Sequence, residues 1–243
     1  MSTSVAEFDA HAAGYDAGME HPLKRLLGRS AEEYVACKVR WLLRELRRRP
    51  SPGAAPRSEP LRLLDFGCGA GTFLRQLRRS GMAAELTGCD VSDAMLHEAR
   101  ARWDCGPEPR WDVVGDGVLP YAEREFDVVI LCCVLHHVPA ERRRAIVCEA
   151  ARVLAPDGRL FVFEHNPWNP LTRWVVRTTA IDRHVSLLTP REVGDDLRAA
   201  GLSPVRPSYL LFFPPRWPWC RWFDDRLGWC PVGGQYVVTG GRP

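Results

Sequence analysis

Glycines in the first third of the chain are spaced as a ligand-binding turn requires. They lie in the segment Asp65-Phe66-Gly67-Cys68-Gly69-Ala70-Gly71, directly after an apolar run. Alternate glycines allow a sharp turn and remove the Cβ atoms that would keep a ligand away from the backbone. Dinucleotide-binding turns carry the fingerprint Gly-x-Gly-x-x-Gly, and here the third glycine comes one residue early. The segment therefore predicts a ligand-binding turn, but its spacing weakens the prediction of a bound pyrophosphate.

Three acidic residues accompany this turn at the ends of apolar segments. Asp65 begins the turn, Asp90 lies 25 residues further along, and Asp116 follows a third apolar segment. A carboxylate at Asp90 can accept hydrogen bonds from both ribose hydroxyls of a nucleoside. Asp116 can accept a hydrogen bond from an adenine amino group. The three acids favour a cationic nucleoside without phosphate groups; the alternative is an ordinary glycine-rich turn with capping aspartates.

Strands and helices alternate from residue 61 onward and would bring these residues to one edge of a sheet. The near-continuous apolar segment 126–133 is typical of a parallel strand that is buried on both faces. The alternation predicts an α/β fold with a mostly parallel sheet, in which ligands bind at the carboxyl ends of the strands. A turn at 155–158 should separate the helix near 139–154 from the fifth strand. We predict strands over 61–66, 85–89, 111–114, 126–133, 159–163, 209–213 and 235–238, and helices near 73–77, 92–102, 139–154 and 189–201.

The remaining segments suggest how the chain is divided. Residues 1–49 are predicted to be helical because apolar residues repeat there at helical spacing. The proline-rich residues 50–60 are interpreted as an exposed linker. Residues 61–243 then form the α/β domain, with insertions at about 165–188 and 214–234.

Composition excludes several classes of protein. The chain is 46% hydrophobic and 26% charged, with a net charge of +3, which is too balanced for an electrostatic nucleic-acid binder. The run Arg47-Arg48-Arg49 is interpreted as a solvated helix end. The longest uncharged apolar run, 128–138, is shorter than the roughly 20 residues that cross a bilayer. The N-terminus lacks a secretion-signal pattern and the nine cysteines form no Cys-x-x-Cys pair, so we expect reduced thiols, no metal site and a cytoplasmic protein.

Four motifs together resemble those of class I S-adenosylmethionine-dependent methyltransferases. They are Leu-Asp-Phe-Gly-Cys-Gly-Ala-Gly-Thr at 64–72, Cys-Asp-Val-Ser-Asp-Ala-Met-Leu at 89–96, Phe-Asp-Val-Val-Ile-Leu-Cys-Cys-Val-Leu-His-His-Val at 126–138 and Arg-Val-Leu-Ala-Pro-Asp-Gly-Arg-Leu at 152–160. The resemblance is firm over residues 61–164 and loose on either side. It implies a Rossmann-like sheet of seven strands with helices on both faces and with the antiparallel last strand inserted beside the fifth. It also implies S-adenosylmethionine as the cofactor.

Taken with the turn itself, the resemblance implies a set of cofactor contacts. Cys132, after the fourth strand, should lie beside the methionine part of the cofactor. The N-terminal segment resembles the family's mobile lid, from which Tyr15 should face the cofactor. The candidate cofactor-binding residues are Tyr15, Asp65, Gly67, Cys68, Gly69, Gly71, Asp90, Val91, Met95, Asp116, Gly117 and Cys132.

Three histidines are candidates for a catalytic base. Methyl transfer from a sulfonium is an in-line displacement, so the protein must align the reactants and needs a base only when the acceptor must lose a proton. His136 and His137 follow the fourth strand and His165 follows the fifth, so all three should lie at the carboxyl edge of the sheet. A histidine ionises close to neutral pH, which suits a base. The alternative is a histidine that packs beneath the site or orients the substrate.

The composition of the two insertions is the best clue to the chemical class of the acceptor. Residues 165–188 and 214–234 are rich in tryptophan and arginine, and such aromatic density can form an apolar wall over a cleft. We expect a small apolar or aromatic acceptor, methylated on O, N or C in the biosynthesis of a specialised metabolite. The alternatives for these insertions are a hydrophobic cap, a dimer contact, or an edge through which 214–234 touches a membrane that holds a lipid-like acceptor.

Other functions stay open at this point. A cyclase or an aminocarboxypropyl transferase would use the same cofactor pocket and differ only in the product. A nicotinamide oxidoreductase would need the Gly-x-Gly-x-x-Gly spacing and a hydride-transfer pair, and neither is evident. A non-catalytic protein that has kept the fold is the fourth alternative. The expected partner is a small-molecule acceptor and not nucleic acid, and the chain should be a monomer or a homodimer.

Overall fold

A seven-stranded sheet forms the centre of the protein in a computed structural model, which describes residues 30–48, 60–115, 117–179 and 185–243. The strand order is β3-β2-β1-β4-β5-β7-β6. The first five strands pair in parallel, and β7 runs antiparallel between β5 and β6. The strands are β1 Leu61–Phe66, β2 Ala84–Asp90, β3 Arg110–Val113, β4 Phe126–Cys132, β5 Leu154–His165, β6 Val205–Leu210 and β7 Gln235–Gly241. The predicted fold class and the antiparallel strand beside the fifth are confirmed.

Helices cover both faces of this sheet. Side chains alternate along each strand, so Leu63 and Val128 face one apolar core while Leu64 and Val129 face the other. The central strand β4 is therefore buried on both faces, as its apolar sequence predicted. The helices are α1 Ala31–Arg48, α2 Thr72–Arg79, α3 Asp93–Ala101, α4 Ala140–Arg152, α5 Pro170–Thr178, α6 Pro190–Ala199 and α7 Arg221–Asp224, with short 3-10 turns at Leu135–His137 and Pro218–Cys220. No helix in the described ranges is long and apolar enough to cross a membrane.

Local sequence signals account for the boundaries of several elements. The Thr189 hydroxyl accepts the Glu192 N–H while the Glu192 carboxylate accepts the Thr189 N–H, which is the capping box that starts α6. Ser92 caps α3 by accepting the Met95 N–H at 3.1 Å. Within α1, Val39 and Leu42 are buried against the sheet, and the predicted N-terminal helical segment is confirmed over Ala31–Arg48. Residues 1–29 and the predicted linker, up to residue 59, lie outside the described residues.

Two strand predictions were wrong in their boundaries. The turn predicted at 155–158 is an irregularity inside β5, because Phe126 pairs with Leu154 whereas Val128 pairs with Arg159. Asp157 takes a left-handed φ of 60° within it. The sixth strand was predicted over 209–213, but Pro207 is accepted inside β6 because this strand lies at the sheet edge.

Candidate cofactor and active site

The glycine turn joins β1 to α2 at the carboxyl edge of the sheet. Gly67, Gly69 and Gly71 all have left-handed backbone, with φ of 78°, 51° and 70°. A Cβ at Gly67 would lie 2.7 Å from a Val134 methyl, and one at Gly71 would lie 2.7 Å from the Trp111 ring. Both conformation and space therefore require glycine at these two positions.

Asp90 links this turn to the end of β2. Its carboxylate accepts the Gly69 N–H at 2.8 Å on one oxygen and the Ser92 N–H at 3.0 Å on the other. The turn is further held by the Cys89 carbonyl, which accepts the Gly67 and Cys68 N–H groups at 2.8 and 3.0 Å. Since each carboxylate oxygen can accept more than one hydrogen bond, Asp90 can also accept from a pair of ribose hydroxyls. Val91 is half-buried and Met95 is buried beside it.

Asp65 is a buried carboxylate with no hydrogen-bond partner for either oxygen among the described residues. Burial, and then the neighbouring Asp90 carboxylate, raise the pKa of Asp65 to about 7, although Lys38 lowers it in part. An unpaired buried acid is costly, so this position is suited to a cationic group of a ligand. The methionine part of S-adenosylmethionine carries an ammonium, and the residues present therefore fit that cofactor.

A buried lysine lies behind the end of β4. The Lys38 ammonium donates to the Cys132 and Cys133 sulfurs at 3.3 and 3.2 Å. The hydrogen bond from the Cys132 thiol, together with Lys38, holds the pKa of Cys133 well below its ordinary value. Burial alone would lower the pKa of Lys38, but the two sulfurs raise it. These three groups therefore form a buried cluster in which the Lys38 ammonium contacts two sulfurs and favours the ionised form of Cys133.

Sequence reasoning missed Lys38 and Cys133, although one signal was present. The chain contains only two lysines, and Lys38 lies three residues after Val35 and four residues before Leu42, which is helical spacing for one apolar stripe. A lysine on the buried stripe of a helix needs a partner inside the protein. The partner could not be predicted because it lies about a hundred residues away in the sequence.

The three candidate histidines come together at the ends of β4 and β5. The His136 ring lies 4.3 Å from the His137 ring and 5.2 Å from the His165 ring, measured between centroids. His136 is 3% exposed and its Nδ1 is hydrogen-bonded to the Glu164 carboxylate. That carboxylate also accepts the Leu135 N–H at 2.8 Å. Glu164 was not predicted as a site residue, because its partner becomes a neighbour only when β4 and β5 pair.

Glu164 determines the orientation and the tautomer of the His136 ring. A carboxylate can only accept hydrogen bonds when it is ionised, so the Nδ1–H of His136 is the donor and Nε2 is left as the basic nitrogen. His165 Nδ1 instead lies 3.2 Å from the Gln235 side-chain nitrogen, the first residue of β7. The arrangement supplies an imidazole whose orientation is fixed by a carboxylate.

The remaining predicted site residues divide into two groups. Tyr15 and Asp116 lie outside the described residues, so their contacts with the cofactor stay predictions. Gly117 has a φ of 76°, and a Cβ there would lie 2.1 Å from the Ile146 side chain. The packing of α4 against this position therefore explains why it is a glycine. The structure brings together, at the carboxyl edge of the sheet, Asp65, Gly67, Cys68, Gly69, Gly71, Asp90, Val91, Met95, Cys132, His136, His137 and His165.

Known proteins with similar sequences and folds are methyltransferases. Residues 64–162 match the family described as methyltransferase domain. The chain is 32% identical over 197 residues to a ubiquinone biosynthesis O-methyltransferase of Ruegeria pomeroyi, covering 75% of this chain and 74% of that protein. It is 37% identical over 102 residues to a demethylmenaquinone methyltransferase of Tropheryma whipplei, covering 42% of this chain and only 41% of that protein.

A solved structure supports the fold over nearly the whole chain. It is a methyltransferase of Thermotoga maritima, described as S-adenosylmethionine-dependent and a possible histamine N-methyltransferase. Its TM-score is 0.67 at 17% identity, with 98% of this chain and 99% of that chain covered. The sequence relative from Ruegeria pomeroyi shows the family, and the solved structure shows that the fold extends over nearly the whole chain. The chain belongs to the class I S-adenosylmethionine-dependent methyltransferases.

Proposed function

We propose that the protein methylates a small apolar aromatic molecule that carries a hydroxyl group, and that His136 removes the hydroxyl proton. The observation that carries this proposal is the buried pair of His136 and Glu164 at the carboxyl edge of the sheet. An imidazole held in a fixed orientation can act as the general base when the acceptor must lose a proton. A neutral amine acceptor would need only to be positioned.

The other site residues are assigned to cofactor binding. Asp65 would pair with the ammonium of the methionine part, and Asp90 would accept from the ribose hydroxyls while it holds the Gly69 N–H. When bound, S-adenosylmethionine supplies the electrophilic methyl group. The chain aligns the acceptor, keeps water from the reacting atoms and holds the proton at His136 Nε2.

The relatives and the aromatic insertions narrow the class of acceptor. One sequence relative described above is named a ubiquinone biosynthesis O-methyltransferase, and the other is named a demethylmenaquinone methyltransferase. Loss of a phenolic proton activates both the oxygen and the ring carbons, so one base would serve either product. We therefore favour a hydroxylated ring with an apolar substituent, of the chemical class that these names indicate, over the specialised metabolite expected from the sequence.

A panel of acceptors tests this assignment. The protein is incubated with S-adenosylmethionine and a hydroxylated aromatic carrying an apolar chain, the same ring without the chain, or histamine, and products are identified by mass. We expect a gain of one methyl group, most rapidly on the first compound. Methylation of histamine alone would overturn the proposal, and a gain of an aminocarboxypropyl group would identify the other enzyme class.

A further inference from the structure

Most of the exposed large apolar side chains lie in two segments. Of the eleven such side chains in the described residues, nine lie within 168–174 and 217–232. Trp229 is 77% exposed and Trp219 is 70% exposed, which is unusual for the largest apolar side chain. We call these nine residues the aromatic surface: Trp168, Leu171, Trp174, Trp217, Trp219, Trp222, Phe223, Trp229 and Val232.

Hydrogen bonds fix the two segments to each other. The buried Asn166 side chain donates to the Gly233 carbonyl at 2.7 Å, and the Asn169 side chain donates to the Val232 carbonyl at 2.7 Å. The Thr172 hydroxyl donates to the Gly234 carbonyl at 2.8 Å. The aromatic surface is therefore built on an ordered part of the chain and is not a set of unrelated loop residues.

The aromatic surface is built on two segments that meet the sheet at the histidine cluster. Residues 166–179 begin directly after His165, the last residue of β5, and residues 211–234 end just before Gln235, the first residue of β7. His165 and Gln235 are partners in the antiparallel pairing of these strands. Both segments that carry the aromatic surface are therefore attached to the strand ends that hold His165 and Gln235.

The charge of these segments favours an anionic surface. Residues 166–179 and 211–234 contain five arginines and two aspartates, with no lysine or glutamate. The Arg226 guanidinium lies 3.8 Å above the Trp222 ring. Tryptophan is enriched at the headgroup level of bilayers, and arginine can extend its charge to the lipid phosphates. A symmetric dimer would instead bring the same excess of positive charge together.

We propose that the aromatic surface docks on the face of an anionic lipid bilayer and that the acceptor enters the site from there. The second part rests on the proposed function, because only an apolar acceptor would be dissolved in the bilayer. Docking itself needs neither cofactor nor acceptor. The tryptophans would lie among the headgroups, and the arginines would contact the phosphates.

Vesicle flotation with the full chain tests the docking. The vesicles are phosphatidylcholine alone or an equimolar mixture with phosphatidylglycerol, and no cofactor or acceptor is added. We expect binding to the anionic vesicles, weakened by high salt. The variant Trp219→Ser/Trp229→Ser should lose at least about tenfold in vesicle affinity because much apolar contact area is removed. Arg173→Gln/Arg177→Gln should lose only the preference for anionic vesicles.

The matched control is Val113→Ser/Val118→Ser, which removes the other two exposed large apolar side chains. Val113 ends β3 at the opposite edge of the sheet, so this control should bind vesicles like the wild-type protein. Circular dichroism establishes that each variant is folded. Absence of wild-type binding, or equal loss in the control, would overturn the docking. A dimer that only the tryptophan variant loses, without vesicle binding, would identify a second copy as the partner.

Vesicle flotation and the acceptor panel test the docking and the proposed function separately. If a detergent-dispersed acceptor is methylated but no vesicles are bound, the docking is wrong and the proposed function stands. If vesicles are bound but no hydroxylated aromatic is methylated, the proposed function is wrong and the docking stands.

Discussion

Replacing Asp65 by asparagine should stabilise the free protein and weaken cofactor binding at the same time. The carboxylate is buried and its oxygens lack partners among the described residues, and its pKa rises from 3.8 to about 7. That difference of about three pH units corresponds to about 4 kcal/mol, at about 1.4 kcal/mol per unit. The ionised group therefore costs the free protein up to about 4 kcal/mol of stability above pH 7.

The sign of the pH dependence follows from the direction of this change. Because the pKa is higher in the folded than in the unfolded chain, the folded state binds the extra proton between about pH 4 and about pH 7. The contribution of Asp65 to stability is thus greatest at acid pH and is lost as the pH rises through about 7. A buried amide without partners still costs about 1–3 kcal/mol, so the net gain from Asp65→Asn near pH 8 should be about 1–3 kcal/mol.

Cofactor binding should change in the opposite direction. Losing the charged partner of the ammonium should weaken S-adenosylmethionine about tenfold to a hundredfold. Urea denaturation near pH 8 measures the first effect and calorimetric titration the second. The matched control is Asp127→Asn, because the Asp127 carboxylate is buried but paired with Arg62 at 3.1 Å, so its loss should destabilise the fold. If Asp65→Asn destabilised the protein, or left the cofactor affinity unchanged, this account of Asp65 would be refuted.

Three further predictions concern the cofactor turn and the pair formed by Lys38 and Cys133. Asp90→Ala should weaken S-adenosylmethionine by about 1.5–3 kcal/mol in calorimetry, whereas Glu85→Ala, an exposed acid on the same strand, should not. Gly71→Ala should cost more in urea denaturation than Gly81→Ala, by about 1–3 kcal/mol, because both have φ near 70–80° but only Gly71 has the Trp111 ring 2.7 Å from the added methyl. Alkylation of Cys133 by iodoacetamide should be insensitive to pH around neutrality and become pH-dependent in Lys38→Met, with the exposed Cys148 as internal reference in the peptide map. The same pH dependence of Cys133 labelling in both proteins would contradict the pairing.

The features that the sequence predicted well are those encoded within short segments. The glycine turn and the capping box at Thr189 each depend on residues that are close in sequence. The apolar pattern of β4 likewise predicted a strand covered on both faces, and the structure confirms it.

The features that were missed depend on pairing between distant segments. Glu164 reaches His136 only because β5 lies beside β4, and Lys38 reaches Cys133 only because α1 packs against the sheet. The turn predicted at 155–158 is an irregularity inside β5, and the sixth strand starts before its predicted residue 209 because Pro207 is accommodated at the sheet edge. Tyr15 and Asp116 stay predictions, because they lie outside the described residues.

The most direct test of the proposed reaction is the turnover of His136→Gln with the best acceptor from the panel. The matched control is His97→Gln, since His97 is exposed on α3. We predict that kcat falls roughly a hundredfold or more in His136→Gln, because a general base contributes that much, while the affinity for S-adenosylmethionine is kept. Glu164→Gln should lower kcat as well and alter its pH profile, because the ring loses its orienting carboxylate. An unchanged kcat in His136→Gln would contradict the assignment of the base.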